Sequence, residues 1–538
     1  MQKLLIAFGF MFWVQFLPAQ TLVDTLRVNN VAAFFSATDG LFYNKFSERA
    51  GLLFPANLYD STKTTIYKAN YWIAGKKESD SATLHLIAPT YGQFGEDTWA
   101  GPVATNYNDE YDNRYKRVFK ITKTEIDLHI ANYNQPGYTL PAALADWPAQ
   151  GNTANGEAFY LAPFVDVNAD GVYTPLLGDY PAIQGDAAIY FIRNDSRETH
   201  TESGGEAFGF ELHTLAYAYN NPDLPHLHNT IFVNLRLINR SDFVYNALLG
   251  MWADFDIGLY ANDAAGCDTN LNMIYAYNFQ SSDFYYPNSP PAQSCIFLNK
   301  LLYAHITSTS GISSGGLTSP LSYFNILNGM LANGLVITNG GNGTTGTEPT
   351  RFMFSGNPVT NEGWTSINSF TNPIGDISSI GSAMPFTIHP NESICFDFAF
   401  TAAIAPDDTP NAHLASVAIL QQYAQQVKNW YDDNIGNCAV NSLYTAVLPA
   451  TEQHAPINVV AYPNPTNDML WIKVNCALQQ EATILLYDVA GKLLHLQKNN
   501  LPSGNTYLNL PFGNLPSGIY QVAVQTNEHR IVQKVVKY

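Results

Sequence analysis

Several segments of this chain alternate between apolar and polar residues, and this period of two constrains the fold more than any other feature. Residues 394–400 (ICFDFAF) carry a large apolar side chain at every second position. Residues 207–219 and 231–239 show a similar spacing. Such segments, separated by Gly, Asn and Pro, are typical of strands in packed sheets. The pattern predicts a mostly β chain whose body is a multidomain β-sandwich.

One helix is predicted near the end of the body. Thr409 is placed to cap it, Pro410 fits its first position, and Gly436 fits its end. Between them, apolar residues recur at spacings of three and four, which is typical of a helix that packs one face against a core. These residues are Leu414, Val417, Leu420, Ala424, Val427 and Tyr431.

The N-terminus has the composition of a secretory signal peptide. Lys3 precedes an apolar run over residues 4–17 that only Gln15 interrupts. This run is shorter than the ~20 apolar residues that a spanning helix needs, and a small residue follows it. We expect cleavage between Ala19 and Gln20, and no transmembrane helix in the mature chain.

Composition changes along the chain suggest five segments. We expect a signal peptide at 1–19, an N-terminal β-rich region at 20–155 and a central sandwich-like region at 156–440. A linker at 441–456 then leads into a terminal domain at 457–538. Repeats are not evident, so the segments rest on composition and turn residues alone.

The charge balance excludes some partners. The chain has 26 Lys and Arg against 45 Asp and Glu, which gives a net charge of −19. Nucleic-acid binding requires a basic surface, so no nucleic-acid partner is expected. An acidic surface is compatible with bound divalent cations, although it could also serve solubility alone.

The five cysteines suggest disulfides, because an exported chain folds where disulfides persist. Cys476 lies in the terminal domain, which leaves four cysteines in the body. Proximity in sequence favours Cys267–Cys295 and Cys395–Cys438. The alternative is that these residues are buried free thiols.

The last 80 or so residues contain short strand-like segments with turn residues between them, as in an Ig-like sandwich. The distinctive residues are Tyr462, Pro463, Asn464, Pro465, Asp488, Gly491, Gly518, Tyr520, Lys534 and Lys537. In order and position they resemble the type A C-terminal sorting domain of the type IX (Por) secretion system of Bacteroidota. The resemblance implies recognition by the outer-membrane translocon and its sorting machinery, followed by release or attachment to surface polysaccharide.

The body, too, has a resemblance. Four segments, 160–181, 199–211, 250–268 and 349–364, are similar to segments of large exported Bacteroidota proteins that have no assigned activity. This similarity implies export but brings no mechanism with it.

A DxNxDG segment is the best candidate metal site. Asp166, Asn168 and Asp170 occupy positions 1, 3 and 5 of a calcium loop, and the carbonyl of Val172 fits position 7. Position 12 is a leucine where an acid is expected, and either Asp179 or Asp186 could bend back to replace it. Ca²⁺ needs six to eight oxygen ligands, so we expect a structural calcium site at this loop, or a turn without metal.

A second acidic group comprises Asp254, Asp256 and Asp263. At a spacing of two, Asp254 and Asp256 share one face of a strand. They could hold a second calcium ion, act as the acid and base of a glycosidase, or lie in solvated turns.

Two functions follow from these features. The first is a non-enzymatic, calcium-stabilised binding or adhesion protein at the cell surface, with glycans as possible partners. The second is a secreted hydrolase acting on polysaccharide or protein. Residues 311–315 fit GxSxG around Ser313, and Asp376 and His389 follow in the order of α/β-hydrolases. Several aromatic residues could stack on sugars or pack in the core, namely Tyr71, Trp72, Trp99, Tyr285 and Tyr286.

Overall fold

The structure is a computed structural model of the whole chain, which forms two compact units, one ending near Val447 and one comprising Leu448–Tyr538. The residues described are 22–44, 48–56, 60, 62–92, 95–308, 317, 319–369, 374–440, 458–476, 480–488, 493–502, 504–526 and 530–538. The predicted signal peptide, its cleavage point at Ala19 and Gln20, the linker at 441–456, and Ser313 lie outside these residues.

Strands make up most of the regular structure of the body. In chain order they are β1 (Val23–Leu26), β2 (Ala32–Ser36), β3 (Gly40–Leu41), β4 (Tyr43–Asn44), β5 (Arg49–Ala50), β6 (Leu52–Leu53), β7 (Thr64–Ile66), β8 (Lys68–Lys77), β9 (Asp80–Ile87), β10 (Trp99–Ala100), β11 (Phe119–Thr122), β12 (Phe164–Val165), β13 (Tyr180–Pro181), β14 (Ala187–Asn194), β15 (Phe210–Ala218), β16 (Thr230–Asn239), β17 (Tyr245–Phe255), β18 (Asp263–Asp268), β19 (Met273–Asn278), β20 (Ala292–Phe297), β21 (Leu302–Ser308), β22 (Ile337–Thr338), β23 (Pro349–Thr350), β24 (Ile377–Ala383), β25 (Phe386–Ile388) and β26 (Ser393–Ala403).

The helices of the body are short, except for the last. They are α1 (Asp109–Tyr115), α2 (Lys123–Asn132), α3 (Ala142–Ala145), α4 (Pro225–His228), α5 (Pro320–Leu327) and α6 (Ala412–Asn434). Single 3₁₀ turns lie at Thr153–Asn155, Pro175–Leu177 and Tyr260–Asn262. Among the described residues, none of the helices has the length and apolar character required to cross a membrane.

Two large sheets form the β-sandwich of the body, and the prediction of a mostly β fold is confirmed. The first runs β21-β24-β17-β8-β3-β2-β6-β7, with β1, β9 and β25 paired at its sides. The second runs β10-β14-β15-β16-β26-β20-β19-β18, with β11 paired to β14. Strands from either side of residue 155 occur in both sheets, since β8 pairs with β17 and β11 pairs with β14.

The main core lies between the two sheets. Phe42 of the first-sheet region contacts Phe400 of the second, with ring centroids 4.7 Å apart, and Tyr71 lies 6.2 Å from Phe398. The apolar positions of residues 394–400 therefore face this core, as their alternation predicts. Tyr71 and Trp72 are fully buried and Tyr286 is nearly so, which makes them core residues and not sugar platforms.

Helix α6 covers the other face of the second sheet. Val417, Leu420, Val427 and Tyr431 are fully buried there, so the predicted apolar stripe is confirmed. The predicted cap is wrong. The helix begins at Ala412 after Asn411, which is in the left-handed conformation, while the Thr409 hydroxyl donates to the carbonyl of Pro406 at 2.6 Å. A turn therefore intervenes between Thr409 and the helix. The helix ends before Gly436, whose φ of 84° suits glycine.

One of the two expected disulfides forms. Cys395 on β26 is bonded to Cys438, with Cα atoms 6.0 Å apart. The pairing of Cys267 with Cys295 is wrong, and both are buried free thiols. Cys267 on β18 and Cys295 on β20 are both paired with Ile274 on β19, which lies between them. The two cysteines are therefore separated by two strand spacings of about 4.8 Å each, and the sum of these spacings exceeds the Cα separation that a disulfide spans.

The C-terminal unit is a smaller sandwich. Its strands are β27 (Asn458–Tyr462), β28 (Met469–Cys476), β29 (Gln480–Asp488), β30 (Leu493–Leu501), β31 (Gly504–Pro511), β32 (Gly518–Thr526) and β33 (Arg530–Lys537). They form a three-stranded sheet, β27-β28-β31, and a four-stranded sheet, β30-β29-β32-β33. Buried residues from both sheets, such as Ile472 and Val522, share one core, in agreement with the predicted Ig-like sandwich.

Candidate functional site

Strand pairing in the first sheet brings three carboxylates together. Asp254 lies near the end of β17 and Asp256 just beyond it, while Asp376 directly precedes β24. The antiparallel register pairs Phe255 with Ile377, which carries Asp256 toward Asp376. One carboxylate oxygen from each of the three aspartates lies within 4.8 Å of the others. We refer to Asp254, Asp256 and Asp376 as the acidic cluster.

The acidic cluster runs from the interior to the surface. Asp254 is 5% exposed, Asp256 is half-buried and Asp376 is exposed. The Tyr91 hydroxyl donates to Oδ2 of Asp254 at 2.9 Å, whereas Oδ1 is buried without a hydrogen-bond partner. A buried carboxylate oxygen without a partner is costly, because it has lost its water and gained nothing in return.

Burial and crowding both disfavour the charged forms of these aspartates. Burial, together with the nearby Asp376 carboxylate, raises the pKa of Asp254 to about 7, against the opposing effect of the Tyr91 hydrogen bond. Burial, followed by the charges of Asp254 and Asp376, raises the pKa of Asp256 well above its usual range. The pKa of Asp376 is raised by burial as well. At neutral pH the cluster therefore retains protons, unless a cation balances it.

Tyrosines line the approach to the cluster. Tyr67 and Tyr91 are half-buried, with ring centroids 6.2 Å apart, and Tyr43 lies 5.4 Å from Tyr67. The ring of Tyr91 also packs edge-on against Trp252, at 5.3 Å. Burial raises the pKa of Tyr67 and of Tyr91, and the aspartates add to both shifts, so these two hydroxyls stay protonated and available as donors.

Asp263 lies beside the cluster but outside it. Its side chain is fully buried, Oδ2 accepts from the backbone N–H of Ile257 at 2.9 Å, and Oδ1 has no hydrogen-bond partner. Its backbone carbonyl accepts from Gly375, the residue before Asp376, at 3.1 Å. Asp263 therefore fixes the segment that follows Asp256 and the segment that precedes Asp376. Of the three aspartates that the sequence grouped, Asp254 and Asp256 enter the cluster and Asp263 supports it.

Sequence reasoning missed the role of Asp376, which it grouped with Ser313 and His389 as a hydrolase candidate. The pairing of β17 with β24 joins segments far apart in the chain, so the sequence does not place Asp376 beside Asp254. A Gly-Asp step directly before a strand-like segment is the only signal that the sequence offers.

The DxNxDG loop is organised by Asp179. This aspartate is fully buried, its Oδ1 accepts from Val167 N at 2.8 Å, and its Oδ2 accepts from Thr174 N at 2.7 Å. Asp166 is half-buried, while Asn168 and Asp170 are exposed, as is Val172. Within the described residues, Asp166, Asp170 and Asp179 do not form a cluster as tight as that of Asp254. Calcium at this loop stays a prediction.

A second close group, Cys395, Asp397 and Cys438, reflects the disulfide and is not a metal site. Asp397 is fully engaged: it accepts from Asn234 at 2.6 Å, from the N–H of Ala439 at 3.0 Å and from the Tyr431 hydroxyl. These bonds tie the end of α6 to the middle of the second sheet.

The terminal motif residues hold the end of the chain in place. Asn464 donates to the carbonyl of Lys534 at 2.8 Å and accepts from Val536 N at 2.9 Å. Lys537 donates to the carbonyl of Asn467 at 2.6 Å, and Tyr520 to that of Pro516 at 2.6 Å. On the strands, Gly518 pairs with Lys537 and Asp488 pairs with Tyr520. Tyr462 and Pro463 directly precede Asn464, and Pro465 directly follows it. Gly491 lies outside the described residues.

Comparison with known families agrees with the motif. Residues 460–538 match the family described as the secretion system C-terminal sorting domain. This tail directs the chain through the type IX secretion machinery to the cell surface or the extracellular space. A comparison with curated protein sequences gives no match.

Comparison with solved structures gives distant similarities. A polysaccharide lyase is 8% identical, with 70% of this chain and 39% of that chain covered and a TM-score of 0.18. Dimeric latent PorU from Porphyromonas gingivalis is 10% identical, with 65% and 31% covered and a TM-score of 0.14. Amine oxidase from Aspergillus nidulans is 10% identical, with 72% and 52% covered and a TM-score of 0.28. The chain thus spans well under two thirds of each of these proteins.

Proposed function

We propose that the exported body is a non-enzymatic binding or adhesion protein of the cell surface, and that calcium in the acidic cluster stabilises it. The observation that carries this proposal is the approach of three carboxylates to within 4.8 Å, one of them with a buried oxygen that lacks a partner. The ligand would be a surface glycan or another protein, as befits a chain delivered to the outside of the cell.

The spacing of the carboxylates suits calcium. Ca²⁺ binds oxygens at about 2.3–2.6 Å, so two ligands on opposite sides of the ion lie about 5 Å apart. Asp254, Asp256 and Asp376 would each contribute at least one oxygen, and water or a ligand would complete the shell on the side of the exposed Asp376. A bound ion would also give the orphan Oδ1 of Asp254 its missing partner.

The position of the cluster explains why the ion would be structural. Asp254 belongs to a central strand of the first sheet, and Asp376 leads into the neighbouring strand. An ion between them would join the ends of β17 and β24. A ligand at 100 times its dissociation constant adds about 2.7 kcal/mol to the free energy of unfolding, so the effect is measurable.

Thermal unfolding of the full mature chain in calcium and in excess chelator tests the proposal. The parent should melt at a lower temperature in chelator, and Asp254→Asn should remove most of this difference. The double variant Asp166→Asn/Asp170→Asn is the matched control, and it should retain the difference. Loss of the difference in the double variant alone would move the calcium site to the DxNxDG loop, and no difference in the parent would refute the proposal.

A second candidate function is glycoside hydrolysis. It is favoured by the pKa of about 7 for Asp254, which suits a general acid, and by the exposed Asp376 beside it. Retaining glycosidases place their two carboxyl groups about 5–5.5 Å apart, close to the spacing in this cluster. Release of reducing ends from polysaccharides, abolished by Asp376→Asn and unaffected by chelator, would support this function over the first.

A further inference from the structure

A surface cleft lies on the body near the end of α5. Its volume is about 530 Å³, and it is bounded by Asn328, Gly329, Met330, Val336, Pro349, Thr350, Arg351 and Phe352. The lining combines apolar side chains with the polar groups of Asn328 and Thr350. Arg351 is the one charged residue among these lining residues. Binding clefts for small ligands commonly combine an apolar wall with a few fixed polar groups in this way.

The structure holds Arg351 in position. Its guanidinium lies over the ring of Tyr303, 4.6 Å from the centroid. Its carbonyl accepts from His305 N at 2.8 Å, and Met353 N donates back to the His305 carbonyl at 3.0 Å, which fixes the backbone against β21. An arginine that stacks on an aromatic ring is ordered before it binds, so it loses little freedom on binding.

Gly329 makes room for the arginine. A Cβ at this position would come within 2.8 Å of the Cβ of Arg351, and its φ of 75° also favours glycine. The turn after α5 can therefore lie directly against the aliphatic part of Arg351. The sequence gives no sign of this contact, because residues 329 and 351 lie on different segments.

The charge of the cleft contrasts with that of the chain. The net charge is −19, and within the part of the chain that the structure describes, the guanidinium of Arg351 has a ring partner but no carboxylate within 4 Å. Its side chain is exposed, and a guanidinium offers five N–H donors in a planar fork. Such a group pairs well with a carboxylate, which accepts two parallel hydrogen bonds.

We propose that this cleft binds a carboxylate-bearing saccharide, a uronic acid unit of an acidic polysaccharide. The carboxylate would pair with Arg351, sugar hydroxyls would bond to Asn328 and Thr350, and the apolar face of the ring would lie against Phe352 and Met330. The volume of the cleft accommodates one or two sugar units. This site is separate from the acidic cluster, and the proposal does not depend on calcium.

Titration calorimetry of the full mature chain with trigalacturonate tests the proposal, with neutral maltotriose as the comparison ligand. Trigalacturonate should bind and maltotriose should bind at least tenfold more weakly. Arg351→Gln should weaken trigalacturonate binding by at least tenfold, and Arg351→Lys by less, because lysine keeps the charge but loses the fork. The matched control is Arg27→Gln, at another exposed arginine, which should bind like the parent.

Four results would overturn the proposal. The first is equal affinity for the charged and neutral trisaccharides. The second is an equal loss of affinity in the variants at Arg27 and Arg351, which would indicate non-specific attraction. The third is the absence of binding by a parent that circular dichroism shows to be folded. Binding of a peptide with a free C-terminal carboxylate, but not of trigalacturonate, would likewise reject a saccharide.

Discussion

The DxNxDG loop and the acidic cluster both gather aspartates, but they do so in different ways. The loop takes its polar residues from one continuous segment, and its buried carboxylate, Asp179, is satisfied by two backbone N–H groups. The cluster takes Asp254 and Asp376 from two paired strands and leaves a buried oxygen of Asp254 without a partner. In the motif that is conspicuous in sequence, the buried carboxylate of Asp179 thus has backbone partners, while in the inconspicuous cluster a buried oxygen of Asp254 has none.

The largest expected effect concerns the pH dependence of stability. The folded-state pKa of Asp254 is about 7, above the unfolded value of about 3.9, so the folded state binds this proton more tightly. In chelator, the free energy of unfolding should therefore be highest below about pH 4 and fall as the pH rises through 7. The contribution of Asp254 to this slope should approach 1.4 kcal/mol per pH unit, a total of up to about 4 kcal/mol.

Urea unfolding at several pH values measures this slope. Asp254→Asn should reduce it and leave the part that comes from the raised pKa values of Asp256 and Asp376, whereas Asp170→Asn in the exposed loop should leave the slope unchanged. Saturating calcium should flatten it in the parent as well. A parent slope of zero between pH 4 and 7 would contradict the account of the cluster.

The second largest effect on stability is expected at Asp179 in the DxNxDG loop. Asp179→Ala removes the acceptor of two backbone N–H groups, those of Val167 and Thr174, so the free energy of unfolding should fall by about 3 kcal/mol. The loss should be the same in calcium and in chelator, because the bonds of Asp179 are made within the chain. Chemical denaturation in both conditions measures it, with Asp179→Asn as a milder control. A loss confined to calcium-containing buffer would show that Asp179 acts through a metal.

The smallest effect tests the link between Tyr91 and the cluster. Tyr91→Phe removes the hydrogen bond to Asp254 while keeping the ring that packs on Trp252. The pKa of Asp254 should rise further, because the hydrogen bond favours the charged carboxylate. At pH 8 in chelator we expect a loss of about 1–2 kcal/mol, with little change at pH 4. Unfolding measurements at both pH values distinguish this result from a packing defect, which would be equal at both.

The sequence predicts the parts of this fold whose information is local. The alternation in residues 394–400 identifies a core strand, and the stripe from Leu414 to Tyr431 identifies helix α6, because each follows from the geometry of a single element. The terminal motif likewise identifies the sorting domain. For the strand and the helix the residues that matter are neighbours in the chain, and for the sorting domain their order along the tail is distinctive.

Features that depend on strand order could not be predicted. Cys267 and Cys295 are close in sequence, yet β19 lies between their strands, and this excludes the bond. Asp376 joins Asp254 only because β24 pairs with β17, and Arg351 reaches Tyr303 only because its segment lies along β21. Long-range pairing in a sheet is set by the whole set of strands, and no single segment encodes it.

The disulfide between Cys395 and Cys438 has a mechanical consequence. Cys438 lies just after α6 and just before the residues that lead to the sorting domain, while Cys395 lies on β26 in the middle of the second sheet. A force applied to the chain beyond Val440 would pass through this covalent bond into β26. The load therefore bypasses α6 and falls on a strand held by neighbours on both sides, β16 and β20. A force applied to the C-terminal end of the chain would therefore not unwind α6.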